Sequence, residues 1–415
     1  MKYGRNRIRR NYSRVQTNPE LPNLIEVQTK SFDWFINEGL KDLFREISPI
    51  KDHGENLELH FGDFVFDEPK YTIPEARKND ANYSRPLKVD LQLVDLESGE
   101  VKESPGTFFG EFPVMTPSGT FIINGAERVV VTQIIRSAGA FFNSIVDKKS
   151  GQKQFYGQII PTRGAWIEFE TGSKEIWYAK LDRSKKIPLT TFLRALGLNS
   201  NKNIISLFGR PKNLDETFKK DDALGVDDAL EQLYEKIRPG EKASTEGARS
   251  FLSSRLFDNR RYDLASVGRY KVNKKLDVLE RLSQVIGKAE LEQDLVDLET
   301  GEVIYTKGSR ITEQMINDIS VNRNLVRRVF EYEQMMDGSN SVSLEKVDII
   351  YEGKIIKIVG NDQSETVNHV TISDILAGVS YYMNLHHYQS IETFLNSLIY
   401  NFIYLITFLT IKKLK

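Results

Sequence analysis

The 415-residue sequence contains no cysteine. This absence excludes disulfides, thiolate zinc sites and cysteine nucleophiles, and it fits the reducing cytoplasm, where we expect the protein to be located. Only five histidines are present, and none has the spacing of a metal ligand set. Even the adjacent pair His386 and His387 would point in different directions on a strand or a helix. The sequence therefore predicts no metal site.

Neither sign of charge dominates, because 57 lysines and arginines stand against 58 acids. The chain as a whole has no basic signal for nucleic acid, so any such contact must be local. The first fourteen residues are an exception, since their charged residues are all basic: Lys2, Arg5, Arg7, Arg9, Arg10 and Arg14. No apolar core of a signal peptide follows them. We expect residues 1–19 to form a solvated or phosphate-facing arm.

Motifs for catalysis are also missing. The sequence has no Gly-x-x-x-x-Gly-Lys-Ser/Thr phosphate loop and no Gly-x-Ser-x-Gly elbow. Its carboxylates do not group as a two-metal nucleotidyl-transfer site requires. The composition is that of a globular protein, 40% hydrophobic and 28% charged, and the length suits two or three domains. These features favour a binding function over a catalytic one.

Hydrophobic periodicity predicts both helices and strands. Apolar residues recur at helical spacing near the start of the chain, which predicts an amphipathic helix with one buried stripe: Leu21, Leu24, Ile25, Phe32, Phe35 and Ile36. Alternation then predicts a half-buried strand with Leu87, Val89, Leu91 and Leu93 on one face. Further strands are expected over 155–188 and 347–359, and helices over 190–257. Such blocks indicate an α+β fold with antiparallel hairpins.

One octapeptide occurs twice in nearly identical form, at residues 94–101 (VDLESGEV) and 296–303 (VDLETGEV). The sequences around the two copies are not similar. We therefore interpret the pair as the same turn chemistry used twice, and not as a structural repeat.

The clearest local signal is residues 116–133 (TPSGTFIINGAERVVVTQ), where Asn124-Gly125 separates two strand-like runs. Asn-Gly at this position predicts a hairpin with a type I′ turn. On the second strand Val129 and Val131 would share one side, as a packing face. Arg136 would follow that strand directly.

The same string resembles a signature of the β subunit of bacterial DNA-directed RNA polymerase. Other strings resemble that subunit in the same order, at 110–115 (GEFPVM), 159–166 (IIPTRGAW), 194–197 (RALG), 238–241 (RPGE), 261–273 (RYDLASVGRYKVN) and 381–385 (YYMNL). The resemblance implies a protrusion-like domain over residues 20–135 and a lobe-like domain over 136–378. Residues 379–385 are the last that resemble the family.

The resemblance also implies a function. The complete enzyme, a nucleotidyltransferase, carries out DNA-templated synthesis of RNA from ribonucleoside triphosphates. This portion would grip DNA and scaffold the cleft, with no catalytic residue and no cofactor of its own, because the family's catalytic Mg²⁺ lies on the β′ subunit. The implied partners are DNA and the α, β′ and σ subunits. The alternatives are a free-standing module that binds DNA or competes for polymerase partners, and a membrane-tethered protein.

Four residues match family positions that contact the non-template DNA strand: Arg136, Trp166, Asp182 and Arg183. From the residues alone, Trp166 would be a core side chain and Arg136 a surface cation, and the resemblance reverses both interpretations. The family's other guanine-contacting residues belong to a string that is absent after residue 385, so we expect an incomplete pocket.

Arg128, Val131 and Gln133 match positions beside the family's rifamycin pocket. Most of the wall of that pocket is encoded further along in the family, and we expect no drug binding here. The lysine pairs at 148–149, 185–186, 219–220 and 274–275 are expected to be solvated surface, with contact to phosphates as the alternative.

Residues 386–415 do not resemble the family. Residues 394–411 are 18 consecutive uncharged residues, long enough for about 27 Å of helix. Their bias toward Ile, Leu, Phe, Tyr and Asn is what adenine- and thymine-rich DNA encodes in a wrong frame. We expect a frameshifted or prematurely ended tail, with a membrane anchor or a divergent buried helix as alternatives. A membrane partner is not expected.

Overall fold

A computed structural model of the chain describes residues 23–52, 56–146, 151, 153–172, 174–182, 184–242, 244–364 and 366–385, and the backbone of Lys2–Tyr3 and Arg7–Ile8. The chain divides into two compact units, Met1–Ile134 and Ile135–Lys415. The assignment of protrusion-like and lobe-like domains stays a prediction. The arm at 1–19, apart from those four backbone positions, and the tail at 386–415 lie outside the described residues.

The first unit is a mainly antiparallel β structure with helices at its start. Its elements are β1 (Lys2–Tyr3), β2 (Arg7–Ile8), α1 (Glu26–Trp34), a π-helical turn (Phe35–Gly39), α2 (Leu40–Ile47), β3 (Ile50–Lys51), β4 (Leu57–Phe66), α3 (Ile73–Lys78), β5 (Ser84–Asp95), β6 (Val101–Pro113), β7 (Phe121–Ile123) and β8 (Ala126–Arg128). One sheet has the order β3-β4-β5-β6, and β1-β2 and β7-β8 are separate pairs.

The predicted helix near the start of the chain is present, but its buried stripe is not where the sequence placed it. No residue of α1 is buried, and Leu24 is 91% exposed. The buried side chains lie one segment later, at Leu40 and Phe44 of α2. The π-helical turn between the two helices adds a residue to the helical repeat and so changes which face meets the sheet. This displacement could not be read from a period of 3.6 residues.

The alternating strand is β5, and its inward residues form the centre of the first unit. Leu87 and Val89 are buried and pack with Phe44, and partly buried phenylalanines surround them. The alternation weakens toward the end of the strand, where Leu93 is 38% exposed. The register with β6 shifts twice, between Leu87 and Lys88 and between Val89 and Leu91. Such bulges interrupt the two-residue period, so only half of the predicted face is buried.

The second unit combines two larger sheets with a block of helices. Its elements are β9 (Gly139–Val146), β10 (Lys153–Ile160), β11 (Ile167–Thr171), β12 (Trp177–Leu181), β13 (Ile187–Pro188), α4 (Leu189–Leu196), α5 (Asn201–Phe208), α6 (Lys212–Phe218), α7 (Val226–Ile237), α8 (Thr245–Leu256), α9 (Ala265–Leu276), α10 (Val278–Ser283), β14 (Ala289–Leu291), β15 (Leu295–Val296), β16 (Val303–Tyr305), α11 (Glu313–Val321), a 3-10 turn (Arg323–Leu325), β17 (Arg327–Glu331), β18 (Ser341–Tyr351), β19 (Lys354–Gly360) and α12 (Ile372–Asn384).

The strand pairs of the second unit are antiparallel. The first sheet has the order β13-β12-β11-β10-β9. In the second sheet β14 and β17 both pair with β18, as does β19. Strands β10–β13 and β18–β19 and helices α4–α8 lie where the sequence predicted strands and helices, and the α+β class is confirmed.

Helix α12 is buried along its whole length. It begins with a capping box in which the Thr371 hydroxyl accepts from the Asp374 N–H and the Asp374 carboxylate accepts from the Thr371 N–H. Tyr381 stacks on Phe142 of β9 with ring centroids 4.2 Å apart. A helix that is buried on all sides needs neighbours over every face, and α12 contacts α9, β10 and β19.

The repeated octapeptide forms the same turn twice. In the first copy the Asp95 N–H donates to Glu100 O and the Gly99 N–H donates to Asp95 O, at 2.9 and 2.8 Å. In the second copy the matching bonds join Asp297 to Glu302 and Gly301 to Asp297, at 3.0 and 2.8 Å. Each glycine has φ above +60°. The shared feature is therefore turn chemistry, as predicted.

Among the residues that the structure describes, no helix is long and apolar enough to cross a membrane.

Candidate nucleic-acid interface

The Asn124-Gly125 hairpin is present as β7 and β8. Asn124 and Gly125 have φ values of 50° and 74°, as a type I′ turn requires. Backbone bonds fix the hairpin to the chain before β5, because the Tyr83 N–H donates to Ile122 O and the Gly125 N–H donates to Ala81 O, both at 3.0 Å. The Asn-Gly prediction is therefore confirmed.

The second strand of this hairpin is much shorter than predicted, since β8 ends at Arg128. Arg128 pairs with Phe121, the first residue of β7. The preceding residue, Thr120, does not continue the strand, because its hydroxyl bonds to the Thr116 hydroxyl at 2.7 Å. The chain after Arg128 consequently has no strand opposite it. The expected packing face of Val129 and Val131 is wrong, because these side chains are 53% and 75% exposed.

Arg128, Val131 and Gln133, the predicted neighbours of a drug pocket, are all exposed. Val131 and Gln133 lie in a segment without helix or strand that extends to Ser137. Arg136 is therefore separated from β8 by seven residues and does not follow the strand directly.

Arg136 is exposed and rests on the outer face of the five-stranded sheet. Its Nη1 donates to Gln158 Oε1 at 3.0 Å, and its guanidinium lies over the Phe141 ring, 4.8 Å from the centroid. Gln158 in turn donates from Nε2 to Glu168 Oε1 at 2.7 Å, and Lys180 Nζ lies 3.3 Å from Glu168 Oε2.

The strand register explains this polar row. Phe141, Gln158, Glu168 and Lys180 are opposite one another on β9, β10, β11 and β12. Alternate residues of these strands are buried, so the polar residues share the outer face. The row anchors the guanidinium of Arg136 through Nη1, and the residue as a whole is exposed.

Trp166 lies immediately before β11 and is 43% exposed. The expectation of a core side chain, based on the residues alone, is therefore wrong. The apolar position is taken by the next residue, Ile167, which is fully buried. Trp166 is two residues from Glu168, a strand distance of about 7 Å, so the ring and the Arg136 row occupy the same end of the sheet.

The backbone of Trp166 is held by Asp182, which follows β12. The Trp166 N–H donates to Asp182 Oδ1 and the Asp182 N–H donates to Trp166 O, at 2.7 and 2.8 Å. Asp182 adopts a positive φ of 51°. Its carboxylate thus has a structural partner and is not a free group. Arg183, the fourth predicted contact, lies outside the described residues.

The loop before Trp166 contains a glycine, Gly164, that allows its backbone to lie close to Tyr262. Gly164 has a φ of 129°, and a Cβ at this position would lie 2.8 Å from Cδ2 of the buried Tyr262. The Arg163 and Thr162 N–H groups both donate to Asp263 O. The loop 161–165 is therefore fixed by backbone contacts and by the tyrosine.

The lysine pairs differ in their surroundings. Lys186 pairs with Glu170 at 3.0 Å and lies over the Tyr178 ring, and Lys219 pairs with Glu216 at 2.6 Å. Lys275 lies 5.0 Å from the Tyr381 ring centroid. The pair at 148–149 lies outside the described residues. A role in phosphate contact stays a prediction.

Within the described part of the chain, no group of three or more His, Asp or Glu residues is arranged to hold a metal ion. His369 is half-buried, and its Nδ1 lies 2.5 Å from Asn259 Oδ1. Burial and the nearby Arg269 lower the pKa of this imidazole.

Sequence reasoning missed the side chains that support the predicted contacts. Phe141 and Gln158 hold Arg136, and their position on the outer face could have been found from the alternation of β10. Arg255 contacts Asp182 across 73 residues of sequence, and no local pattern indicates this pairing.

Comparison with known proteins identifies the family. Residues 136–291 match the family model RNA polymerase Rpb2, domain 2. The chain is 47% identical over 394 residues to the DNA-directed RNA polymerase subunit beta of Listeria welshimeri, a match that covers 93% of this chain and 33% of that protein. The corresponding subunits of Geobacillus thermodenitrificans and Staphylococcus epidermidis are each 44% identical over 93% of this chain and about a third of their own length.

The chain thus spans about one third of the length of the curated relatives it matches. The family recognised from the sequence strings is confirmed by these matches, which cover both the hairpin and the sheet that carries Arg136 and Trp166. The chain belongs to the family of bacterial RNA polymerase β subunits.

Proposed function

We propose that this chain takes part in DNA-templated transcription as part of an RNA polymerase β subunit, where it contacts opened DNA and contributes no catalytic residue. The relatives are named as subunits of DNA-directed RNA polymerase, a nucleotidyltransferase. The proposal includes a cytoplasmic location and association with α, β′ and σ subunits, with the Mg²⁺ of the complete enzyme on β′.

The observation that supports DNA contact is that one sheet carries both an exposed guanidinium, Arg136, and an exposed indole, Trp166. Stacking of a base on an aromatic ring is worth about 1–3 kcal/mol and tolerates any base. A guanidinium donates two parallel hydrogen bonds to guanine O6 and N7, with about 1–3 kcal/mol of discrimination. Trp166 and Arg136 are thus suited to a stacked base and a neighbouring guanine of the non-template strand.

Binding of short single-stranded DNA tests this role. We expect Trp166→Ala to weaken binding by roughly 1–2 kcal/mol for every sequence, because the ring supplies stacking to any base. Fluorescence anisotropy of a labelled oligonucleotide gives the affinity. Tyr270→Ala is the matched control, since Tyr270 is an exposed aromatic residue of the same unit at 56% exposure. Equal losses in the two variants would exclude stacking on Trp166.

Arg136→Gln should instead reduce the preference for guanine-containing oligonucleotides, while affinity for the others falls only by the loss of one charge. Arg210→Gln, at an exposed arginine paired with Asp215, is the charge control. Unchanged guanine preference in Arg136→Gln would contradict base contact by this residue.

The competing function is a stand-alone module that binds DNA or captures polymerase partners. Co-purification of α and β′ subunits with the chain is expected for a polymerase part. Binding to DNA without any polymerase subunit would favour the stand-alone module. The membrane-tethered alternative depends on residues 386–415, outside the described residues.

A further inference from the structure

The carboxylate of Asp182 joins two parts of the second unit that are far apart in sequence. Its Oδ1 accepts the Trp166 N–H at 2.7 Å, and its Oδ2 pairs with Nη2 of Arg255. Since both oxygens are used, the carboxylate has a defined orientation. Rotation of the Asp182 side chain would break both contacts together.

Arg255 is placed for this contact by the helix that carries it. Helix α8 buries Ala248, Leu252 and Leu256 at a spacing of four residues, which fixes the rotation of the helix about its axis. Arg255 lies in the last turn, where a cation is favoured by the helix dipole. Its guanidinium also lies 5.9 Å from the ring centroid of Phe251, one turn earlier on the same helix.

From these contacts we infer that Arg255 is a positioning residue for Trp166: through Asp182 it fixes the backbone from which the indole projects. The inference rests on the proposed contact between Trp166 and single-stranded DNA. A ring held in its bound orientation loses less freedom on binding, so a base stacks on it at lower entropic cost. Arg255 itself does not need to touch the nucleic acid.

The alternative explanation is that Arg255 merely stabilises the fold. An ion pair this exposed, with side chains 37% and 29% accessible, contributes little to global stability. A structural role and a positioning role therefore predict different results. If the role is structural, loss of Arg255 changes only the free energy of unfolding. If the role is positioning, the loss changes the accessibility of Trp166 and the affinity for DNA, with little change in the free energy of unfolding.

The variants are made in the 415-residue chain with Trp34→Phe, so that Trp166 is the exposed tryptophan and Trp177 stays buried. Arg255→Ala removes the pair, and Arg255→Lys restores a cation that reaches one carboxylate oxygen. The matched control is Arg249→Gln on the same helix, which removes a guanidinium whose partners are Asp227 and Met335 O. Acrylamide quenching reports Trp166, and anisotropy with a short oligothymidine reports binding.

We expect Arg255→Ala to increase acrylamide quenching and to weaken oligothymidine binding about three- to tenfold, a part of the stacking contribution. In Arg255→Lys the increase in quenching and the loss of affinity should both be smaller than in Arg255→Ala. Arg249→Gln should change binding only as much as the loss of one charge does. Circular dichroism checks that each variant is folded. If Arg255→Ala is unfolded, the comparison between Arg255→Lys and the unsubstituted chain decides.

Quenching and affinity in Arg255→Ala equal to those of Arg249→Gln would overturn the inference. If the unsubstituted chain does not bind oligothymidine, the proposed function fails. In that case the quenching comparison still shows whether Arg255 positions Trp166.

Discussion

At the scale of single residues, Glu345 of β18 is an acidic side chain that is almost completely buried, with 2% exposure. Its Oε2 accepts from Arg323 Nη1 at 2.9 Å, and the same guanidinium donates to both oxygens of Asp277. Burial raises the pKa of Glu345 to about 7, and this effect outweighs the attraction of Arg323, while Asp277 and Asp362 raise the pKa further.

The raised pKa predicts a pH-dependent stability. Glu345 keeps its proton up to a higher pH in the folded chain than in the unfolded chain. Its contribution to the free energy of unfolding is therefore complete below pH 4.5 and is lost as the pH rises through about 7. We expect the free energy of unfolding to decrease by about 2–3 kcal/mol over this interval through Glu345 alone. Glu345→Gln should remove that part of the decrease, as measured by urea denaturation from pH 5 to 8.

Glu331→Gln is the control, because it removes an exposed carboxylate from the neighbouring β17. The same pH dependence in the unsubstituted chain and in Glu345→Gln would show that Glu345 is ionised in the folded protein throughout.

Residue type alone predicts the exposure of one of the two proposed DNA-contacting residues and not of the other. An exposed arginine at position 136 could be expected from its charge alone, since an unpaired guanidinium is costly to bury. An exposed tryptophan at position 166 could not, because a large aromatic side chain is more often buried. The family strings led to the right exposure where residue chemistry did not.

At the scale of elements, the hairpin β7–β8 depends on its turn. Gly125 needs a positive φ, and its Cα is so close to another segment that a Cβ would lie 2.7 Å from Asp80 Oδ1 and 2.8 Å from Asp80 Cα. Gly99, in the turn between β5 and β6, also has a positive φ, but a Cβ there would have no atom within 4 Å. A side chain at Gly99 would therefore introduce backbone strain alone, whereas a side chain at Gly125 would also overlap Asp80.

Alanine at these two glycines should therefore have unequal effects. We expect Gly99→Ala to lower the free energy of unfolding by about 1 kcal/mol, the cost of a left-handed conformation. Gly125→Ala should cost about 3 kcal/mol or more, because overpacking against Asp80 adds to that strain. Urea denaturation followed by circular dichroism measures both, and equal effects would show that the chain around Asp80 can move away.

Elements also show where periodicity is reliable. The strands predicted over 155–188 and the helices predicted over 190–257 are present, and elements such as β10 and α7 each have one regular face against a core. The segment after Arg128 has the same β-branched character but no partner strand, so it forms no strand and is exposed. Strand formation depends on pairing, which a local pattern does not contain.

At the scale of the whole molecule, the two units differ in the size of their cores. The cluster in the first unit has Phe44, Leu87 and Val89 as its buried members, whereas a large cluster in the second unit includes residues of α12, of α4 and of several other helices. Exposed apolar side chains are frequent in the first unit, with Phe108 and Phe109 at 60% and 56%. We expect the first unit to be the less stable of the two.

Hydrogen exchange tests this difference. Amides of β4–β6 should exchange at least about tenfold faster, relative to their unfolded rates, than amides of β10–β12, because fewer buried contacts must be broken to open them. Mass spectrometry of peptides from 57–113 and 153–181 provides the comparison, with the urea-denatured chain as reference. Equal protection in the two sheets would contradict the expected order.

The sequence by itself determined the α+β class, the strands over 155–188 and 347–359, the helices over 190–257, the two equivalent octapeptide turns and the Asn-Gly hairpin, because these follow from local spacing and backbone conformation. Only the tertiary structure decided that β8 ends at Arg128, that the buried stripe begins at Leu40, that Gln158 contacts Arg136 and that Arg255 contacts Asp182. These features depend on contacts between residues far apart in the chain, and their energy is absent from any short window of sequence.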